Sequence, residues 1–311
     1  MEFKKGGNVL FEKLSLPVIV APMFLVSSVE LVIESCKNGV IGSIPMLNAR
    51  TAEEAENMLK QIKEALPTEP WAVNFIAHKT NKRHDSDLEL IKKYQPPIVI
   101  ASLGHPGKVT EAVHSYGGLV FADVATVKHA KKSAEAGVDG LILVSAGAGG
   151  HAGTLNPFAF LDAVREFWNG YTILAGGISH GKDVLAAKVM GADFAYMGTK
   201  FIATEESAAF EGYKQMLVDS SIEDVLYTDA ISGVHANFLI PSLLKNNLDP
   251  SNLKRKEEID FSSMVEVKMW RDVWSAGHGV TTIKSIEHVE AVVNQLKKEY
   301  EEAKLKLVSV V

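Results

Sequence analysis

The chain has 311 residues, of which 47% are hydrophobic and 23% are charged, and its formal net charge at pH 7 is −6. This much apolar side chain excludes a disordered or fibrous protein, and the excess of acidic residues disfavours a nucleic-acid partner. The single cysteine, Cys36, excludes an internal disulfide and a cysteine-rich zinc site. No apolar run reaches the ~18 residues of a membrane span, and the first residues lack the apolar core of a signal peptide. We therefore expect a cytoplasmic α/β enzyme without a nucleic-acid or membrane partner.

Eight short apolar runs, bounded by Gly, Pro or polar residues, recur along the first two thirds of the chain. They begin near Pro17, Val40, Trp71, Pro97, Leu119, Gly140, Thr172 and Phe194. Runs that are apolar throughout are typical of parallel strands buried on both faces. The segments between them show helical periodicity. Thr51–Leu66 begins with Thr51 as its predicted N-cap, and Val127–Gly137 and Lys182–Gly191 end in glycine.

Eight such units of about 25 residues each predict a (β/α)8 TIM barrel, whereas a doubly wound open sheet would fit fewer strands. We assign residues 1–219 to the barrel, with Glu205–Asp219 as its eighth helix. Residues 220–311 are predicted to form a helical cap and a closing C-terminal helix, both packed on the barrel, because alone they could bury little core. Active sites of this fold lie at the carboxyl ends of the strands, so we look for chemistry there.

Glycines follow the seventh and eighth runs, where a strand turns toward a helix. Gly176 and Gly177 follow the seventh run, and Gly198 and Thr199 follow the eighth. Glycine lets the backbone approach a ligand, and exposed N–H groups at the start of a helix attract an anion. Tight turns would account for either loop alone, but the two loops together favour a phosphate cradle, since barrels often bind phosphate there.

The loop after the sixth run carries four glycines around one histidine, His151. A flexible loop with one group that titrates near neutral pH predicts a general base or acid. Asn74 lies in an otherwise apolar run and needs a hydrogen-bond partner, for which a ligand amide or carbonyl is a candidate. Asp123 and Lys128, in the fifth unit, are equally compatible with a salt bridge that lines the barrel. The spacing of the other histidines does not predict a metal site.

The motifs APMF, GVIGSIPMLNARTAEE, VNF, AGGHAG, LAGGIS and YMGTKF occur in this order. Together they resemble the nitronate monooxygenase family, formerly called 2-nitropropane dioxygenases, from about Leu16 to the segment WSAGHGV. The family consists of FMN-containing barrels and is closely related to the FMN-dependent enoyl-ACP reductases of some bacteria. The resemblance therefore implies FMN as the cofactor.

The resemblance also implies a set of cofactor-binding residues: Ala21, Pro22, Met23, Asn74, Lys128, Gly149, Gly150, Gly176, Gly177, Gly198 and Thr199. Within this set, Asn74 would bond a polar edge of the flavin ring, and Lys128 would lie near its pyrimidine end or the ribityl chain. His151 would be the catalytic residue that removes a proton from a neutral nitroalkane or orients the nitronate. Phe24 and His278 would line the substrate pocket.

The activity implied is oxidation of alkyl nitronates, with nitroalkanes as further candidate substrates, by dioxygen to a carbonyl compound and nitrite through a flavin semiquinone. An NAD(P)H-dependent reductase like the related enoyl reductases is the alternative, and a non-catalytic FMN-binding barrel is a third hypothesis. The implied partners are a small-molecule nitronate and dioxygen. The oligomeric state stays open, a homodimer included, because the aromatic patch with Trp270 and Trp274 could face the active site or a second subunit.

The sequence departs from the family pattern at two places. Val144 stands where many members have Gln or Glu, seven residues before the loop histidine, and Gly147 replaces an acidic residue four positions before it. In the cap, the motif that often reads AGQ is AGH, through His278. We expect the first departure to change the hydrogen bonds around the flavin, whereas His278 could either add a second titratable group over the flavin or replace an amide contact.

Overall fold

Eight parallel strands close into a barrel in the computed structural model, which describes residues 9–253 and 271–308. The barrel strands are β1 (Val18–Val20), β2 (Gly42–Pro45), β3 (Trp71–Ile76), β4 (Ile98–Ser102), β5 (Leu119–Val124), β6 (Gly140–Val144), β8 (Tyr171–Ala175) and β9 (Phe194–Met197), while β7 (Gly150–His151) lies outside the barrel. Their order is β1-β9-β8-β6-β5-β4-β3-β2, and a parallel bridge between Ile19 and Ile41 closes the ring. All eight predicted strands are present, and the predicted TIM barrel is confirmed.

Helices surround this barrel and cover its carboxyl end. They are α1 (Val29–Lys37), α2 (Ala52–Ala65), α3 (His84–Tyr94), α4 (Gly107–His114), α5 (Val127–Glu135), α6 (Pro157–Arg165), α7 (Gly181–Val189), α8 (Thr199–Ile202), α9 (Glu211–Asp219), α10 (Ile240–Lys245) and α11 (Val289–Val308). Thr51 caps α2 as predicted, in a reciprocal capping box with Glu54. Gly137 and Gly191 adopt positive φ just beyond α5 and α7, as predicted for helix ends.

The helix that fills the eighth position of the outer layer differs from the predicted one. α11 packs against α7 and α1, and its apolar side chains Val289, Val292, Val293 and Leu296 are buried against the strands. This spacing forms a continuous apolar stripe on one helix face. α9 buries only a short face over the strand ends, so it belongs to the insertion of residues 203–288 between β9 and α11. The two-part division of the chain at residue 220 stays a prediction.

The aromatic patch predicted in the cap contributes to the core of this insertion. Trp274 is buried and stacks on Tyr213, with ring centroids 5.1 Å apart. Its Nε1 donates a hydrogen bond to the carbonyl oxygen of Arg271. Trp270 lies outside the described residues. Trp274 therefore faces neither the strand-end cavity nor solvent.

Cys36 is a buried structural thiol. Its Sγ donates to the carbonyl oxygen of Pro70 and accepts from the N–H of Gly42. Burial raises the pKa of Cys36 to about 12, so the reactive thiolate is absent at neutral pH. In the described ranges, no helix combines the length and apolarity needed to cross a bilayer.

Replacing Leu296 by alanine should lower the free energy of unfolding by about 2–5 kcal/mol, because it removes a fully buried side chain from the barrel layer. The matched control is Leu305→Ala on the same helix, where the side chain is 69% exposed and the expected change is below ~0.5 kcal/mol. Urea unfolding followed by circular dichroism measures both. Equal effects of the two variants would contradict the place of α11 in the barrel.

Candidate active site

A cavity of about 790 Å³ lies at the carboxyl ends of the barrel strands, within the range of about 300–1,000 Å³ of small-molecule sites. Most of the predicted site residues line it: Ala21, Pro22, Met23, Phe24, Asn74, Gly149, Gly150, His151, Gly176, Gly177, Gly198 and Thr199. Lys128 and His278 do not line it. The structure thus brings together twelve predicted residues from five segments that are far apart in the sequence.

Lys128, in the first turn of α5, is exposed and does not line the cavity. The residues of this helix that line the cavity are His129, Lys132 and Ser133, whose spacing of three and four places them on one face. The fifth unit instead contributes Asp123, at the end of β5. No ion pair joins Asp123 to Lys128 in the described chain, so the salt bridge considered from the sequence is not formed.

His278 lies outside the cavity, against the loop after β6. Its backbone N–H donates to the carbonyl oxygen of Gly147 over 2.9 Å. A Cβ atom on Gly147 would lie 2.9 Å from Nδ1 of His278, and the φ of Gly147 is +86°. The two departures from the family pattern therefore touch each other, and His278 occupies the space that a side chain at position 147 would need.

Gly149, Gly277 and Thr199 approach one another at one end of the cavity, and Gly177 also lines the cavity. At Gly177, where φ is +70°, an added Cβ would meet nothing within 4 Å, so this backbone borders open space. At Gly149 it would lie 2.9 Å from the backbone nitrogen of Gly277 and 3.2 Å from Oγ1 of Thr199. The Gly277 N–H already donates to Thr199 Oγ1 over 2.9 Å. This end is a cradle that side chains would fill, and it fits an anionic group held by backbone N–H groups.

The loop that carries His151 is held in place, although its glycines predict a flexible loop. Its strand β7 pairs antiparallel with β11 (Ala236–Leu239), which pairs in turn with β10 (Val225–Thr228). The N–H of Gly150 donates to Oγ of Ser275 over 2.7 Å, and Nδ2 of Asn237 donates to the carbonyl oxygen of Ala148 over 2.6 Å. These partners lie far along the sequence, so the loop composition could not predict them.

His151 is neutral at pH 7 in this environment. Its Nε2 atom is buried, and desolvation lowers the pKa of the imidazole to about 4. A neutral imidazole carries one free lone pair and can accept a proton. The site therefore presents a base in the same cavity as the glycine cradle.

A chain of polar side chains forms the cavity floor. Nδ2 of Asn74 donates to the carbonyl oxygen of Ile100 over 3.1 Å and to Oγ of Ser102 over 2.6 Å, and Ser102 Oγ donates to Oδ2 of Asp123. Both amide hydrogens of Asn74 are thus used, so a bound ligand can meet only its Oδ1. The sequence interpretation missed Ser102 and Tyr196, which lie in apolar runs and line the cavity.

Two atoms of this floor are buried without a hydrogen-bond partner in the described residues: Oδ1 of Asp123 and the hydroxyl of Tyr196. Desolvation raises the pKa of Asp123 to about 6, against the smaller opposing effect of the Ser102 hydrogen bond. Desolvation, together with the charge of Asp123, raises the pKa of Tyr196 well above its usual value. Buried polar groups are nearly always paired, so two orphan atoms at one cavity indicate a place for a ligand.

The titrations of Asp123 and His151 should act on stability with opposite signs. Between about pH 4 and 6.5 the unfolded state holds more protons at His151, so that group makes the protein more stable as pH rises. Between about pH 4 and 6 the folded state holds more protons at Asp123, so that group makes it less stable. In the flavin-free wild type the two effects largely offset each other.

Compared with wild type, His151→Asn should therefore lose stability as pH rises from 4.5 to 6, and Asp123→Asn should gain it. Each effect has an upper limit of about 1.4 kcal/mol per pH unit. Urea unfolding of the flavin-free proteins at the two pH values measures both differences. Shifts of the same sign in the two variants would contradict the protonation states assigned here.

Comparisons with known proteins agree with this geometry. Residues 80–299 match the family model of nitronate monooxygenase. A probable nitronate monooxygenase from Staphylococcus haemolyticus is 28% identical over 213 residues, which are 64% of this chain and 59% of that protein. The chain thus spans about three fifths of that relative's length.

Two solved structures share the fold. A nitroalkane oxidase from Streptomyces ansochromogenes gives a TM-score of 0.82 at 23% identity and covers 96% of this chain and 100% of that chain. FabK from Thermotoga maritima gives a TM-score of 0.79 at 24% identity and covers 97% of both chains. The family model matches most of the chain, and the chain therefore belongs to the nitronate monooxygenase family, whose members are flavin-dependent enzymes.

Proposed function

We propose that this protein binds FMN and uses dioxygen to oxidise alkyl nitronates to a carbonyl compound and nitrite. The observation that carries the proposal is a neutral His151, with its Nε2 atom buried, in the same cavity as a glycine cradle. The cradle suits the phosphate of a mononucleotide, and the imidazole suits proton transfer at a substrate beside it. Family membership supports the flavin, and the choice of FMN rests on the cradle and on the sequence motifs.

Different residues of the cavity would hold different parts of FMN. The backbone at Gly176, Gly177 and Gly198 would hold the phosphate, and Met23 would lay its polarizable side chain against the ring. Oδ1 of Asn74 would accept from a ring N–H, since its amide hydrogens are already donated. FMN, once bound, accepts electrons from the substrate and passes them to dioxygen, and one-electron transfer is the route we propose.

His151 would act on a neutral nitroalkane before any electron moves. The unprotonated ring nitrogen of His151 takes the proton from the carbon that bears the nitro group, and the electron pair of the C–H bond stays on the substrate as the nitronate. Burial makes the free imidazole a weak base, but the negative charge of the nitronate beside it raises its pKa. The proton is then held on His151 in an ion pair with the nitronate. A substrate supplied as nitronate does not need this step.

An NAD(P)H-dependent reductase is the second candidate, and it rests on the relation of the family to FMN-dependent enoyl-ACP reductases that the sequence motifs imply. Anaerobic addition of NADPH or NADH to the flavin-loaded protein separates the two activities. Rapid bleaching of the flavin by a nicotinamide, with no change on adding an alkyl nitronate, would favour the reductase. Partial reduction by the nitronate, reversed by air with release of nitrite, would support our proposal.

His151→Asn should lower turnover of neutral nitroalkanes by about 10²–10⁴-fold, the usual contribution of a general base. Turnover of preformed nitronates should fall by less than tenfold, because no proton is removed. Nitrite release and oxygen uptake measure both rates. His114→Asn is the matched control, since His114 is exposed on α4 and does not line the cavity, and it should leave both rates unchanged. Equal loss with the two substrates would exclude His151 as the base.

Gly177→Ala should weaken binding of FMN but not of riboflavin, which lacks the phosphate, because the new methyl group enters the cradle. Gly137→Ala is the matched control: its φ is +79°, an added Cβ meets nothing within 4 Å, and it lies outside the cavity. Both substitutions carry the same backbone cost. Quenching of flavin fluorescence on titration with flavin-free protein gives the affinities. An unchanged ratio of FMN to riboflavin affinity in Gly177→Ala would place the phosphate elsewhere.

A further inference from the structure

On two strands the inward-facing side chains are apolar inside the barrel and polar where the strand ends at the cavity. On β5, Phe121 is fully buried inside the barrel and Asp123 follows two residues later. On β9, Phe194 is buried inside the barrel and Tyr196 follows at the same spacing. Side chains two residues apart point to the same face of a strand. Asp123 and Tyr196 therefore also point into the barrel, and they form the polar floor of the cavity above its apolar interior.

The hydrogen bonds around Asp123 leave one of its oxygens for a ligand. Asn74 donates to Ser102 Oγ, so the Ser102 hydroxyl is directed away from it and donates to Oδ2 of Asp123. Oδ1 and the Tyr196 hydroxyl are buried at the cavity without partners in the described residues. A buried polar group left unpaired is destabilising, so these two atoms indicate a place for a ligand. Neither residue has a part in the proton transfer assigned to His151.

We propose that Asp123 and Tyr196 form a floor pair that faces the bound flavin, and that the Asp123 carboxylate lowers the reduction potential of that flavin. The inference rests on the flavin site of the proposed function. Reduction adds negative charge to the ring, and an ionised carboxylate in a desolvated site disfavours that charge. The Tyr196 hydroxyl can donate to the ring. A flavin of lower potential gives up its electrons to dioxygen more readily.

Asp123→Asn tests the carboxylate, because it keeps the side-chain shape and removes the charge. In the FMN-loaded protein at pH 8, we expect reduced flavin to be held about tenfold more tightly relative to oxidised flavin than in wild type. For a two-electron couple that ratio is a rise of ~30 mV in midpoint potential. Anaerobic reduction in the presence of a reference dye measures it. Asp162→Asn, an exposed position on α6, makes the same change in net charge and should leave the potential unchanged.

Ser102→Ala is the second variant, and it keeps the carboxylate. Loss of the hydroxyl that donates to Oδ2 should raise the pKa of Asp123 and shift the potential in the same direction as Asp123→Asn, by a smaller amount. A merely structural role of Asp123 would not produce this graded series. Binding of oxidised FMN, followed by fluorescence, is measured in parallel for every variant.

The outcomes separate this inference from the proposed function. Normal FMN binding in Asp123→Asn with a potential equal to that of wild type would overturn the floor pair and leave the proposed function standing. Failure of the wild type to bind FMN would overturn both. A shift in midpoint potential of equal size in Asp162→Asn would mean that the net charge of the protein causes the effect. This result would also overturn the floor pair.

Discussion

The in-register closure of the eight strands is the constraint on which the site depends. Parallel pairing places every strand end at one rim, and alternation along each strand decides which side chains point inward. Below the rim the inward positions are apolar and pack against one another, as Ile100 and Ile142 do. At the rim the same positions become polar, as at Asn74 and Asp123. The cavity floor is therefore the last layer of the barrel interior, and its rigidity comes from the packing beneath it.

The insertion between β9 and α11 adds what the barrel alone could not supply. Its strand β11 pairs with the short strand at His151 and removes the freedom that the loop glycines would otherwise have. It also covers the strand ends, and this desolvation keeps the imidazole neutral. The position and the protonation state of His151 thus have the same cause, because the insertion both fixes the loop and excludes water from the imidazole.

The sequence predicted those parts of the structure that depend on local pattern. The apolar runs located all eight strands, and the glycines singled out at strand ends line the cavity, because both signals lie within a few neighbouring residues. Lys128 is assigned by motif alone, and in the structure it is exposed outside the cavity, whereas the next residue, His129, lines the cavity. The eighth helix was assigned to the nearest helical segment, whereas the longer apolar stripe of α11 occupies that position.

What the sequence could not predict involves pairs that are far apart along the chain. The pairing of Gly150 with Asn237 joins segments that carry no mutual signal. In the sequence, Ser102 and Tyr196 lie within apolar runs and show no functional signal. Only closure of the barrel brings their hydroxyl groups to the cavity floor. Long-range contacts of this kind depend on the whole topology, so propensity and spacing do not report them.

The two departures from the family pattern, considered separately in the sequence, are one feature in the structure. Gly147 has a positive φ, and the ring of His278 occupies the space beside it. An acidic side chain at position 147 would need both another backbone conformation and a smaller neighbour in the cap. Among the described residues that line the cavity, Asp123 is the one carboxylate. Negative charge therefore reaches the cavity from the rigid end of β5 and not from the loop, and packing of the barrel fixes its distance from any bound ligand.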